Sequence, residues 1–212
     1  MADARKQQKI ERKEILVATM AKQQRVDHRS KFWIYGTGTV LLLALIVTVT
    51  YVIMVDQKNK TRLVAAASKP INGVQSFAKM SRYHTSSRLV YLQNPPTGGD
   101  HAPQFINCGI YTNPVNTGEA VHSLEHGAVW VTYRPDLPQQ QIDALAKAAG
   151  SFRYELLSPF PGLPSPVVAT AWGKQLKMES ATDQRLPMFL QRYSQGPQTP
   201  EHGALCSGGS RN

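Results

Sequence analysis

The longest apolar stretch of the chain runs from residue 33 to residue 55 and contains no charged side chain. As a helix these residues would extend about 35 Å, enough to cross the ~30 Å hydrocarbon core of a membrane. Aromatic residues stand near both ends (Trp33, Tyr35 and Tyr51), where amphipathic rings favour the lipid headgroups. The pattern therefore predicts a single transmembrane helix over residues 33–55.

Shorter patterns follow this span. Residues 129–133 (VWVTY) and 166–173 (PVVATAWG) are rich in β-branched and aromatic residues and predict buried strands. Between them, a segment opens with Asp136 and Pro138 and closes with Gly150, which are start and stop signals of a helix. The apolar residues of that segment recur at helical spacing: Leu137, Ile142, Leu145, Ala146 and Ala149. Residues 182–193 carry a second helical face, made by Leu186, Phe189, Leu190 and Tyr193. Alternating strands and helices predict an α+β domain in which helices pack on a small sheet.

These patterns divide the chain into five segments. They are a basic tail, the transmembrane helix, a stalk, an α+β domain and a flexible tail, at residues 1–32, 33–55, 56–72, 73–206 and 207–212. Two Pro/Gly-rich stretches of the domain, residues 93–105 and 156–166, predict long loops. Because binding residues concentrate on loops, we expect a functional site beside one of these two stretches.

The net charge of +10 is concentrated beside the apolar span. The first 32 residues contain nine Lys and Arg, whereas the last 150 residues contain twelve Lys and Arg against nine Asp and Glu. This distribution predicts contact with anionic lipids of the inner leaflet, through either a basic surface helix or a solvated tail. It does not favour a nucleic-acid interface, which needs a basic folded surface.

The orientation across the membrane follows from charge and from the cysteines. Within about 20 residues of each end of the span, Lys and Arg number five before it and four after it, so the whole tail decides the bias. Cys108 and Cys206 are the only cysteines and both follow the span. An even pair outside the cytosol can form one disulfide, the alternative being two free buried thiols. We therefore expect a cytoplasmic N-terminus and an extracytoplasmic domain.

Residues 121–130 (VHSLEHGAVW) contain His-x-x-Glu-His, a spacing that some zinc enzymes use to hold a metal. On a helix, His122 and His126 share one face, so both could bind one ion. Glu125 stands beside them as a possible general base for a metal-bound water. The alternative is structural: His126 caps the helix before Gly127, and Glu125 pairs with a basic group.

A third metal ligand is available elsewhere in the sequence. His101 lies in a Gly-rich loop beside Asp100, a residue suited to orienting an imidazole. Glu201 and His202 are alternatives downstream, and His84 is a further imidazole upstream. We predict that His101 completes the site, since the glycines before it allow a sharp turn of the backbone.

Four stretches together resemble one known family: NPPTGGDHAPQFINCGIYTNPV, AVHSLEHGAVWVTYRPDLP, SPFPGLPSPVVATAWG and PEHGALCSGG. The chain is similar to the bacterial domain-of-unknown-function family numbered 3105 over about residues 73–209. The resemblance implies an extracytoplasmic domain of a bacterial envelope protein, and it brings no assigned activity. The positions that match the family pattern are His101, Cys108, His122, Glu125, His126 and Cys206. At His202 the family tends to have proline, which makes this histidine a poor candidate for any shared function.

The sequence therefore predicts a single-pass membrane protein whose extracytoplasmic domain binds a metal ion, zinc or copper, or a small ligand. The predicted ligands are His101, His122, Glu125 and His126. One alternative is a membrane-tethered zinc hydrolase with Glu125 as its base. It is less favoured, because Gly127 and a strand end the motif at once and the domain leaves little room for a cleft. The other alternative is a non-catalytic scaffold that binds an envelope protein.

Overall fold

The computed structural model describes residues 2–211, with side chains at residues 12–23, 35 and 37–211. Its first element is the long helix α1 (Ala2–Ala67). Within α1 the stretch Thr37–Ala67 contains an apolar run long enough to cross a membrane, judged by length and composition alone. Most side chains of the predicted basic tail, and that of Trp33, lie outside the described residues. The chain divides into two compact units, residues 1–59 and 60–212, and the second contains all the strands.

The second unit is built on one mixed sheet. Its six strands are β1 (Val74–Ser76), β2 (Gly109–Ile110), β3 (Val129–Tyr133), β4 (Glu155–Pro159), β5 (Val167–Ala171) and β6 (Lys174–Met178). They lie in the order β1-β6-β5-β3-β4-β2. The pairs β3–β4 and β4–β2 are parallel, and the other neighbours are antiparallel. Strands β3 and β5 confirm the two strands predicted from the sequence.

Three further helices accompany the sheet: α2 (Thr117–Glu125), α3 (Gln139–Ala149) and α4 (Arg185–Tyr193). Helix α3 connects β3 to β4, because two parallel neighbours need a crossover rather than a hairpin. The predicted apolar face of α4 is buried, with Phe189 fully inaccessible. These elements confirm the predicted α+β fold.

The predicted loop at residues 156–166 is wrong for its first four residues, which belong to β4. All five residues of β4 are buried, but only two of them are large and apolar, too few to signal a strand. Pro159 ends the strand and pairs with Tyr133, where a missing N–H removes least from the ladder.

Side chains of β3 alternate between the two faces of the sheet, as the pleat requires. Val129 and Val131 join a cluster made with α3 and α4, and we call this side the helical face. Trp130 joins a second cluster, made with α2 and the irregular segment 77–108, and we call this side the loop face. The predicted site lies on the loop face.

Candidate metal centre

Helix α2 carries the histidine motif, and both of its ends are fixed. The side chain of Asn116 accepts a hydrogen bond from a backbone N–H of the first turn, which caps the N-terminus. At the other end the chain leaves the helix at Gly127, whose φ of +95° suits glycine. The apolar side of α2 is buried against the sheet by Ala120, Val121 and Leu124. This seating places His122 and Glu125, one turn apart, in a buried position.

His101 is held beside α2 by its own backbone. It forms an isolated parallel bridge with His84, in which His101 N donates to Tyr83 O (3.0 Å) and Thr85 N donates to His101 O (2.8 Å). The Nδ1 atom of His101 donates to the carbonyl of Gly99 at 2.8 Å. Two histidines far from α2 in the sequence are thereby brought together next to it.

Four side chains converge at this point: His84, His101, His122 and Glu125. Their candidate ligand atoms all lie within 4.8 Å of one another. The three imidazole centroids are 4.5, 4.6 and 4.9 Å apart. A tetrahedral zinc site with bonds of about 2.0–2.1 Å has its ligand atoms about 3.4 Å apart. Displacements of the ligand atoms by about an ångström therefore suffice to bring them to bonding distance of one ion.

The hydrogen bonds of the buried imidazoles fix which nitrogen faces the cluster. His122 Nδ1 donates to the carbonyl of Ala102 at 2.8 Å, as His101 Nδ1 does to Gly99. Because a carbonyl only accepts, these Nδ1 atoms carry protons, and the Nε2 atoms are left to face the cluster. Burial lowers the pKa of His122 to about 4, although its bond to Ala102 acts in the opposite direction. His122 is therefore neutral at pH 7, the form in which histidine binds a metal.

One buried contact has no hydrogen bond to account for it. His101 Nε2 and Glu125 Oε2 lie 2.9 Å apart, and both side chains are completely inaccessible. Within the described part of the chain, neither atom has a hydrogen-bond partner. His84 Nε2 lies 3.7 Å from the same oxygen. Buried polar atoms normally have partners, and either a proton shared by these two atoms or a cation bound by both would provide one.

The other oxygen of Glu125 is held by an arginine that sequence reasoning missed. Arg82 Nε donates to Glu125 Oε1 at 2.7 Å, and this bond raises the pKa of Arg82. Its second contact is with Glu201 Oε1, at 3.6 Å. Arg82 lies in the irregular segment, 43 residues before Glu125, and no local pattern in the sequence marks it. This fits the structural alternative for Glu125, pairing with a base, without removing Oε2 from the cluster.

His126, the remaining predicted ligand, lies outside the group of four. Its ring is 4.6 Å from that of His122. Its Nδ1 donates to the carbonyl of Leu205 at 2.8 Å, and its Nε2 is 3.5 Å from Glu201 Oε2. The structure therefore brings together His101, His122 and Glu125, with His84 in the place expected for His126.

The C-terminal segment that reaches His126 is tied down by a disulfide. Cys108 and Cys206 are bonded, with their Cα atoms 5.3 Å apart, as expected from the sequence. Beyond it, Ser210 forms an isolated bridge with Ile106, inside the stretch predicted to be a flexible tail. These contacts place the carbonyl of Leu205 where it orients the His126 ring.

Comparison with known proteins identifies the domain. No curated protein and no solved structure matches the chain significantly. One family model, described as "Protein of unknown function (DUF3105)", matches residues 83–208. This range contains all four clustered side chains and both cysteines. Because the match covers more than half of the chain, the protein belongs to the DUF3105 family.

Proposed function

We propose that this is a membrane-anchored protein whose domain binds one divalent zinc or copper ion. The ligands are His84, His101, His122 and Glu125. The observation that carries the proposal is the buried contact between His101 Nε2 and Glu125 Oε2, which has no hydrogen bond. A divalent cation between these atoms supplies the positive charge that both of them require.

The chemistry of the donors narrows the choice of ion. Three imidazole nitrogens and one carboxylate oxygen suit Zn²⁺ and Cu²⁺, whereas Cu⁺ and iron–sulfur clusters prefer sulfur ligands. Glu125 acts as a ligand in this proposal, since Arg82 engages one of its oxygens and the cluster the other. The Nδ1 bonds of His101 and His122 to backbone carbonyls orient their rings, as outer hydrogen bonds do in metal sites.

Titration calorimetry on the full-length chain in detergent tests the proposal. After removal of metal by EDTA and dialysis, ZnCl₂ and CuCl₂ are titrated separately, and we expect one ion bound per chain. His84 is exposed, so His84→Ala removes a ligand while the buried residues stay packed. Loss of a hydrogen bond to a metal ligand typically weakens metal binding roughly 10–100-fold. Because His84→Ala removes a ligand itself, we expect the metal affinity to fall by at least this factor. Elemental analysis of freshly purified protein then identifies which ion is bound.

The matched control is His202→Ala, which removes another exposed histidine outside the cluster. We expect this variant to bind metal as the parent chain does. Absence of binding by the parent chain, or equal binding by the two variants, would sink the proposal. As a second readout, an ion at about 100 times its Kd stabilises the folded state by about 2.7 kcal/mol. The rise in Tm is expected for the parent and the control.

The membrane part of the proposal is supported by the apolar stretch Thr37–Ala67 and by the disulfide. Disulfides persist in oxidising compartments, which favours a domain outside the cytoplasm and a basic tail inside, on anionic lipids. We expect the chain to stay in the membrane on carbonate extraction. Protease added to right-side-out vesicles is expected to remove the domain and leave residues 1–32 intact. Release by carbonate would contradict anchoring, and a protected domain would reverse the orientation.

A further inference from the structure

The four proposed ligands differ sharply in their surroundings. The side chains of His101 and Glu125 are completely inaccessible, and His122 is buried on α2. The side chain of His84 is 42% exposed. His84 lies in residues 77–92, which we call the strap, a segment without helix or strand apart from the bridge between His84 and His101. Three ligands thus belong to the interior and one belongs to the surface.

The hydrogen bonds repeat this division. Nδ1 of His101 and Nδ1 of His122 are each held by a backbone carbonyl. Among the described residues, no hydrogen bond holds either nitrogen of the His84 ring. Rotating His84 away from the cluster therefore breaks no hydrogen bond and exposes a side chain that is already partly hydrated. Rotating either buried ring would leave a buried carbonyl without its donor, which is unfavourable.

The strap also supplies a positive charge that stays beside Glu125 when the metal ion leaves. Arg82, two residues before His84, donates to Glu125 Oε1 at 2.7 Å. A buried carboxylate without a partner is strongly destabilising. Because Arg82 keeps Glu125 paired, the metal-free protein avoids much of this penalty.

We propose that His84 is the exchange ligand of the site, so that the domain accepts a metal ion and passes it to a competing nitrogen or sulfur donor. The inference rests on the proposed metal binding and adds that the bound ion leaves to a competing donor through the position of His84. The incoming donor approaches from the solvent side, takes the coordination position of His84, and leaves with the ion. The three interior ligands cannot be replaced in this way without opening the loop face.

The test is the kinetics of metal removal from the loaded full-length chain in detergent, followed by stopped flow with excess EDTA or free histidine as acceptor. Exchange through His84 predicts a removal rate that rises with acceptor concentration, because the acceptor takes part in the rate-limiting step. Release by local unfolding would give a rate independent of acceptor concentration. We expect His84→Ala to release metal at least about tenfold faster than the parent, and His202→Ala to match the parent.

Chemical rescue supplies a second readout. Free imidazole can reach the position left by His84→Ala, so we expect it to restore metal affinity and slow release in that variant. It cannot reach the buried positions left by His101→Ala or His122→Ala, and no rescue is expected there. An acceptor-independent rate, or failure of imidazole to rescue His84→Ala, overturns the exchange role while leaving metal binding intact. Absence of binding by the parent chain overturns the proposed function itself.

Discussion

The two faces of the sheet are built differently, although the same strands supply both. On the helical face the inward side chains of β3, β5 and β6 are almost all apolar, and two regular helices cover them. On the loop face, strands β3 to β6 contribute buried polar residues: Thr132, Ser158, Thr170 and Gln175. One short helix and irregular chain cover this side. The face covered by regular helices is apolar, and the face covered mainly by irregular chain contains buried polar side chains.

An irregular segment cannot satisfy its own backbone groups, so the sheet beneath it must supply hydrogen bonds. Gln175 donates to the carbonyl of Pro95 at 2.9 Å, within the loop that leads to His101. Ser123 of α2 donates to the carbonyl of Ile106 at 2.6 Å, within the same irregular segment. These directional contacts fix where the loops lie, which apolar packing alone does less specifically. The helical face supplies most of the stability, and the hydrogen bonds of the loop face fix the position of the loops.

The strongest test of this division is Phe189→Ala on the helical face. Phe189 is fully buried on α4, 4.6 Å from the ring of Tyr193, and belongs to the apolar cluster of the helical face. Truncating a buried phenylalanine costs about 3–5 kcal/mol. We expect this loss in urea unfolding followed by tryptophan fluorescence, with metal affinity unchanged in the absence of urea. A loss below about 1 kcal/mol would show that the helical face is not the main source of stability.

Ser123→Ala is the matched variant on the loop face. It leaves the carbonyl of Ile106 without its donor, at a cost of about 1–3 kcal/mol. Because Ser123 follows His122 directly, loosening this contact should also weaken metal binding. We therefore expect opposite profiles: a large loss of stability alone for Phe189→Ala, and a smaller loss with reduced affinity for Ser123→Ala. Equal effects of both variants on affinity would remove the distinction between the faces.

The helical face could be predicted largely from the sequence, because its signals are local. The period of Leu186, Phe189 and Leu190 and the β-branched run of β3 each identify an element within a few residues. Strand β2 has only two residues and β1 only three, too short for any period to appear. Their pairing depends on neighbours distant in sequence, so no local pattern marks them.

The site was predictable in part for the same reason. His122 and Glu125 share a short motif, and the glycines before His101 mark a sharp turn. Arg82 and His84 reach the cluster only through the bridge between residues 84 and 101, a long-range pairing. The i, i+4 spacing favoured His126 as a ligand, but its ring turns toward Leu205 and Glu201 because the C-terminal segment lies there. Spacing determines which face of a helix a residue shares, and tertiary contacts determine what it meets.

Glu155 is an exception on the apolar helical face. It is 4% exposed, and the hydroxyl of Ser194 donates to its Oε1, while its Oε2 has no hydrogen-bond partner among the described residues. Burial raises the pKa of Glu155 well above its ordinary value, against the opposing effect of the Ser194 bond. The folded protein therefore keeps a proton on this carboxyl at a pH where the unfolded chain has released it.

This difference sets the direction of a pH effect. Stability falls as pH rises wherever the unfolded chain binds fewer protons than the folded one. For Glu155 this is the pH range between its ordinary pKa and its raised pKa in the folded protein. Glu155→Gln removes the titrating group and keeps the shape, so the variant should lose this fall in stability. From urea unfolding we expect a free energy of unfolding above the parent's by on the order of 1 kcal/mol at pH 8, and similar values at pH 4. Glu179→Gln, at an exposed glutamate, should follow the parent at every pH. If Glu155→Gln instead keeps the parent's decline from pH 5 to pH 8, Glu155 is ionised in the folded state, and the helical face tolerates a buried charge as the loop face does.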